Sequence, residues 1–326
     1  MRTLALLAAL ALALVLVPFF GSEYALSFTI QLLVFTSLAY SWNIIGGYAG
    51  YTHFGQVAFF GLGAYVGALL VGAGWHWLGA AAVAAFASTI LALLLGSAML
   101  RLKGSFFAIG MFGLARVGEN FALGFDSITQ GGTGLYLTPQ DLKPIYAALA
   151  VIALALVFFT YRLDNSRFGL QLLAIREDET AADALGVRTT WLKICAFMLS
   201  AVAPGAVGSL YASYLAFIDP STAFAPMTEL TTIAMVLLGG LGTVLGPLVG
   251  AVVLSVINEL LWSRFPEIYL GLVGIVVLLA VLYMPRGIVH FATRRAPGWV
   301  AAPRSGLRRL AGAAASARAP AARGSA

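Results

Sequence analysis

The sequence predicts an all-α, polytopic membrane protein, and three observations carry that expectation. Of its 326 residues, 61% are hydrophobic and only 10% charged, whereas soluble domains carry about 25% charged residues. Apolar runs close to the bilayer length of about 20 residues recur along the chain. Gly is abundant, at 36 residues, as close packing of helices in lipid requires. Lipid offers no partner to a bare amide or carbonyl, so spans of this length close their hydrogen bonds internally as helices.

Apolar windows fall at 4–20, 25–45, 54–72, 76–99, 105–123, 144–161, 192–215, 224–240, 244–260 and 267–284. Each is near the length a bilayer needs, so about ten transmembrane helices are expected. Arg2 ahead of the first window also suits a signal sequence. No small-x-small cleavage site follows it, so the window reads as a retained helix. Lys and Arg mark cytoplasmic loops. Arg162, Arg167, Arg176 and Arg188 place loop 162–190 inside. Arg2, Arg101, Lys103 and the arginines after Pro285 fall on the same side. The segment from Phe217 to Thr228 has Asp219 and no Lys or Arg, so it reads as external. Windows 224–240 and 244–260 must then be separate passes, turned at Gly239, Gly240 and Gly242. Both termini come out cytoplasmic, with Arg264 a mild exception on the outer side.

Residues 1–285 thus form the membrane domain, with a cytoplasmic loop at 162–190. Residues 286–326 form a basic tail with eight arginines and no acid. Those arginines exceed the chain's whole net charge of +6, so the rest is slightly acidic. A basic, Ala- and Pro-rich tail is expected to be disordered and to lie on anionic lipid, not on nucleic acid. Cys195, the one cysteine, cannot form an internal disulfide and reads as a small packing residue. Two segments, Gly46 to Phe60 and Gly239 to Gly250, concentrate Gly within apolar sequence. Each Gly weakens a helix by about 1 kcal/mol relative to Ala. Two readings fit: broken or re-entrant helices lining a pathway, or close packing through small faces.

The charged stretch from Leu170 to Gly186 stands apart from the rest. Ala174, Ile175, Asp178, Ala181, Ala182 and Leu185 recur at helical spacing, opposite charged positions that include Arg176, Glu177 and Glu179. Gly186 suits a left-handed helix end. Thr189 or Thr190 suits a cap for the next span, starting near Trp191. One short helix along the cytoplasmic surface is expected. A plain linker between spans needs only a few residues, so this helix is read as a contact for a soluble partner.

The stretch RFGLQLLAIREDETAADALGV, followed by KICAFMLSAVAPGAVGSLYA, resembles the LivM-type permeases of branched-chain amino-acid ABC importers. SWNIIGGYAGYTHFGQVAFFGLGAY, TQGGTGL and TELTTIAMVLLGGLGTVLGPLVGA extend the resemblance from about Ser41 to Tyr283. The resemblance implies ten helices, with the coupling loop between the sixth and seventh. It also implies two ATPase subunits, a second homologous permease and a periplasmic or lipid-anchored solute-binding protein, at a bacterial inner membrane. Ala174 to Gly186 would dock into a cleft of the ATPase. The broader ABC signature has an EAA followed by Gly. Here Thr180, Ala181 and Ala182 precede Gly186, and the acid sits one place earlier, at Glu179.

Polar groups within spans are functional candidates because lipid penalises them. Arg116 and Glu119 are spaced to pair on one helix face, and an ion pair is favoured over solute contact. His53 and Gln56 lie in the first Gly-rich segment, and His53 reads as a satisfied packing residue. Glu229 opens a span at the outer side, where a hydrated interfacial carboxylate is the simplest reading. Asn43 and Asn258 read as bonding to neighbouring backbone. Pro204, with Gly205 and Gly208, is expected to kink the span after the charged loop. His53, Gln56, Arg116, Glu119, Pro204, Glu229, Gly239, Gly240 and Gly242 are the candidate pathway or gating residues. Three scattered histidines make no metal site, and no cofactor motif is present. No GxxxxGK[ST] loop exists, so ATP would be hydrolysed by other chains. The function expected is permeation of branched-chain or other neutral amino acids by alternating access. A urea or short-amide permease, a secondary transporter and a membrane-embedded enzyme are the alternatives. The enzyme lacks HExxH and GxSxG, and a secondary transporter needs no docking helix.

Overall fold

The computed structural model describes residues 22–102, 104–283 and 287–290. The first window, Arg2, Lys103 and nearly all of the tail lie outside them. The other nine windows each hold a helix. Helix α1 spans Glu23–Trp42 and runs into a π-helical turn, Asn43–Tyr48. Then follow α2 (Gln56–Gly72), α3 (Trp77–Met99), α4 (Ser105–Gly124) and the short α5 (Asp126–Thr129). After strand β1 (Leu135–Tyr136) come α6 (Leu142–Asp164), α7 (Arg167–Glu177), α8 (Glu179–Ala184) and α9 (Thr189–Leu215). Strand β2 (Phe217–Ile218), α10 (Pro220–Ala223), α11 (Pro226–Gly239), α12 (Gly246–Arg264) and α13 (Tyr269–Tyr283) complete the chain. Among the described residues, seven helical segments are long and apolar enough to cross a membrane. Helix α2, with 17 residues, is apolar but shorter.

Helices α1 and α9 are the most buried spans, and α9 packs along both α2 and α3. Small residues permit this. A Cβ on Gly63 of α2 would overlap the Gly205 carbonyl of α9, and one on Gly208 would overlap the Phe60 carbonyl. Gly205 in turn lies against Ser88 and the Ala84 carbonyl of α3. Backbone-to-backbone approach of this kind supplies helix association in lipid, where apolar burial supplies none. Helices α3, α4 and α6 instead turn large apolar side chains outward, among them Phe86, Phe106, Ile109 and Val151. Those faces suit acyl chains.

Leu135 pairs with Ile218 and Tyr136 with Phe217, antiparallel. This ties the loop after α4 to the loop after α9 at one end of the bundle. Asp219 then caps α10 through Ser221 and Thr222. Burial pushes its carboxyl up, but those hydrogen bonds outweigh it and hold the group below the usual range.

Pro204 does not break α9, which is continuous through it. Breaks in helical structure and close backbone packing both occur, at different places. Residues 49–55 interrupt the path between α1 and α2, and residues 240–245 separate α11 from α12. Gly239 and Gly250 meanwhile close the α11–α12 hairpin, backbone against backbone.

The crossing yields a prediction. Gly208→Val forces a side chain into the Phe60 carbonyl and should destabilise the fold by about 3 kcal/mol. Gly113→Ala, with open space around it, should be neutral or stabilise by up to about 1 kcal/mol. Thermal unfolding in detergent, followed by size exclusion, distinguishes the two.

Candidate coupling site

The loop 162–190 forms two helices, not one. Asp178 is extended (φ −158°, ψ 110°), which ends α7. Its carboxylate then accepts the Thr180 and Ala181 amides, at 2.8 and 3.0 Å, to start α8. An acid at that position can cap a helix start, and the capping overrides the continuous apolar spacing. Gly186 does adopt the left-handed conformation, at φ +83°. Helix α9 begins at Thr189, earlier than expected, with Arg188 at the cap position and no side-chain cap.

Within the loop, side chains divide by direction. Leu172, Ile175 and Ala182 are buried in the core cluster that contains Tyr48, Phe107 and Phe197. Ala174 is half-buried. Glu177, Asp178, Thr180, Ala181, Asp183 and Gly186 are exposed. Leu185 is 84% exposed, an apolar knob amid polar groups.

Three attachments fasten this loop to the interruption after α1. Arg176 Nη1 donates to the Gly47 carbonyl at 2.6 Å. Lys193 Nζ donates to Glu179 Oε1 at 2.6 Å and to the Tyr51 hydroxyl at 2.9 Å. Tyr51 donates to Glu179 Oε2 at 2.6 Å. Tyr48 donates to Asp164 Oδ1 at 3.3 Å. Burial, then the bond to Glu179, push the Tyr51 phenol up, so it stays a donor. Glu179 is therefore turned inward onto α9 and Tyr51. Its shifted place in the sequence fits an anchor within the chain. Lys193 and Tyr51 escaped the sequence reading. A lone Lys just inside an otherwise uncharged span was the signal for Lys193.

The same interruption is fastened to the α11–α12 turn. Asn43 Oδ1 accepts the Gly242 amide at 2.9 Å, and its Nδ2 donates to the Thr243 carbonyl at 3.2 Å. Asn43 does bond backbone, but backbone 200 residues away. Gly242 holds φ +66°, and a Cβ there would meet the Arg176 guanidinium and the Gly47 carbonyl. A Cβ on Gly47 would overlap Asn43 and the Gly242 amide. Gly240 sits in the same turn, against Gly287. Arg176, Gly47, Asn43 and Gly242 thus form one junction.

Glu229 is not hydrated. It is 3% exposed, and its Oε2 accepts the Val57 amide at 2.8 Å. A carboxylate there answers the unpaired amides at the start of α2. Gln56 beside it donates to the Leu38 carbonyl at 2.9 Å. His53 is buried, and neither ring nitrogen has a partner. Its ring stacks on Trp42, with centroids 5.9 Å apart, and meets Phe107 and Phe197 edge-on. It packs, but it is not satisfied. Arg116 pairs with Glu119 and also donates to the Phe224 carbonyl, which ties α4 to the loop before α11. The ion pair expected there is present. No cluster of metal-ligating side chains occurs among the described residues.

Residues 24–282 match the family described as the branched-chain amino acid transport system / permease component. The chain belongs to that family. It is 28% identical to the LivM permease protein of the high-affinity branched-chain amino acid transport system of Salmonella typhimurium, over 83% of this chain and 71% of that protein. The Escherichia coli LivM protein is 29% identical over the same shares. The autoinducer 2 import system permease protein LsrC of Yersinia pseudotuberculosis is 30% identical over 56% of this chain and 54% of its own length. No solved structure matches. As a family member the chain is an ABC-importer permease component and a multi-pass protein of the bacterial inner membrane. The resemblance read from the sequence is the family found.

The Lys193–Glu179 pair is testable. Lys193 is 4% exposed and Glu179 23%. Glu179→Gln leaves a buried ammonium without its counter-charge and should destabilise by about 3 kcal/mol. Adding Lys193→Met should recover most of that loss. A double-mutant cycle on thermal stability reads the coupling.

Proposed function

We propose that this chain carries branched-chain or other neutral amino acids across the membrane by alternating access, powered by two separate ATPase subunits. In this reading residues 1–285 form the permease domain, with ten spans and both termini cytoplasmic. The tail from 286 to 326 rests on anionic lipid. A second, similar permease and a periplasmic or lipid-anchored binding protein complete the importer. ATP is hydrolysed by the partners, since the sequence has no phosphate loop.

The observation that carries the reading is the fastening of loop 162–190 to the interruption after α1. An exposed rim at Thr180, Ala181, Asp183, Ala184 and Leu185 offers an ATPase a knob, small residues and charge. Such a rim stays soluble when undocked and gives specificity when docked. Force applied to α8 passes through Glu179 to Lys193 on α9. Force on α7 passes through Arg176 to Gly47 and the α11–α12 turn. Pro204 and Gly205, further along α9, let that span flex as the gate moves.

The LivM similarity over 83% of the chain favours leucine-like cargo. The LsrC similarity supports a second reading, a different small polar cargo such as autoinducer 2 on the same machinery. Reconstitution with the ATPases, partner permease and binding protein encoded beside it decides the cargo. Labelled leucine should enter proteoliposomes with ATP. Uptake of labelled urea without leucine uptake would overturn the assignment.

The docking rim gives a further prediction. Leu185→Asp places a charge on the apolar knob without touching the core. It should lower copurification of the ATPases about ten-fold, as expected on losing an interface contact worth more than 1 kcal/mol. Detergent stability of the permease alone should be unchanged. Normal copurification would remove Leu185 from the interface.

A further inference from the structure

A groove of about 580 Å³ runs between α1, α11, α12 and α13. This volume is in the range of small-molecule sites. Its walls include Phe35 and Val273, but Gln31, Thr231, Asn258 and Glu259 line it as well. These four come from three helices. Thr228 and Ser255 also line it, and most of the remaining wall is apolar. A polar side chain at such a place is costly unless something polar meets it. Asn258 was read from sequence as bonding backbone. Instead, neither Asn258 nor Gln31 makes a side-chain hydrogen bond among the described residues. Glu259 accepts the Tyr24 hydroxyl at the rim of the groove.

We infer that this groove is a transit site for the solute, and that it takes a small α-amino acid with an apolar side chain. The inference rests on the importer reading above and locates its cargo. The chemistry matches group by group. Carboxamides donate and accept, so Gln31 and Asn258 can meet both a carboxylate and an ammonium group. Glu259 supplies one negative charge toward the ammonium, and its Tyr24 bond holds it in place. Phe35 and Val273 receive the apolar side chain. No fully buried charge clamps the cargo, so it can leave. On the proposed orientation the groove opens in the outer half of the membrane, where a binding protein delivers solute. None of the pathway candidates read from the sequence lines it except through the neighbours of Glu229, whose own side chain turns inward to α2.

The test uses the assembled importer in proteoliposomes. Asn258→Leu keeps volume and removes the amide. It should cut leucine uptake about ten-fold, the loss expected for one unpaired polar contact, with the subunits still copurifying. Asn258→Gln should restore much of it. Leu260→Ala, on the other side of α12, should leave uptake normal. In a Cys195→Ser background, Asn258→Cys should react with a small thiol reagent, and leucine should slow that reaction. Unchanged uptake and labelling insensitive to leucine would mean that lipid fills the groove, and would overturn the site. Loss of the second permease on purification would show a subunit interface instead, and would also overturn it. A wild-type importer that moves no amino acid would sink the cargo assignment together with this site. Wild-type leucine uptake beside an unaffected Asn258→Leu would sink the site alone.

Discussion

Where a helix breaks off among buried side chains its backbone groups must be satisfied by protein, and the packing around the join between α1 and α2 follows from that requirement. Between Trp42 and Gln56 the chain passes through a π-helical turn and then leaves helical structure altogether. The groups freed there belong to Gly47, His53 and Val57, which are buried, so they need protein partners. Arg176 answers the Gly47 carbonyl, Trp42 the His53 carbonyl, and Glu229 the Val57 amide. Almost every charged or amide side chain buried in this half of the molecule is committed to that interruption or to the turn that docks on it. Of the polar residues read from the sequence as pathway candidates, Glu229 supports this break directly.

The same requirement explains how loop 162–190 is tied to the spans. Arg176 and Glu179 belong to the helices proposed to meet a soluble partner, and both are bonded inward. A pair of short helices, the second N-capped at Asp178, therefore holds one side of that break. The turn from Gly240 to Leu245 meets that point from the other side through Asn43. Glycine is required where these backbones cross. At Gly47 and Gly242 a Cβ would occupy the space of the hydrogen-bond partners themselves.

Much of this could be read in advance. Nine apolar windows predicted nine helices within a few residues, because a bilayer sets span length so tightly. The Gly-rich segments announced both the interruption and the hairpin, and Arg116 and Glu119 paired as their spacing implied. What sequence could not give was the direction of polar side chains. Helical spacing across Ala174 to Leu185 looked continuous, but Asp178 caps a new helix and breaks it. Glu229 looked interfacial because it opens a span, yet that span begins beside the interrupted start of α2. The Lys193, Tyr51 and Glu179 cluster joins α8 and α9 to a residue more than a hundred positions earlier in the chain. Spacing along one helix carries no information about such a meeting.

In the proposed reading an engine lies outside this chain and a pathway within it, and the junction at Arg176 is where the two would be joined. Arg176→Met keeps the aliphatic stem against Gly50 while removing the donor to Gly47. The decisive quantity is the number of solute molecules moved per ATP hydrolysed by the reconstituted importer. If force reaches the membrane through Arg176, the variant assembles and hydrolyses ATP while that ratio falls at least several-fold. A ratio equal to that of the wild type, with Arg176→Met fully assembled, would show that coupling runs through another path.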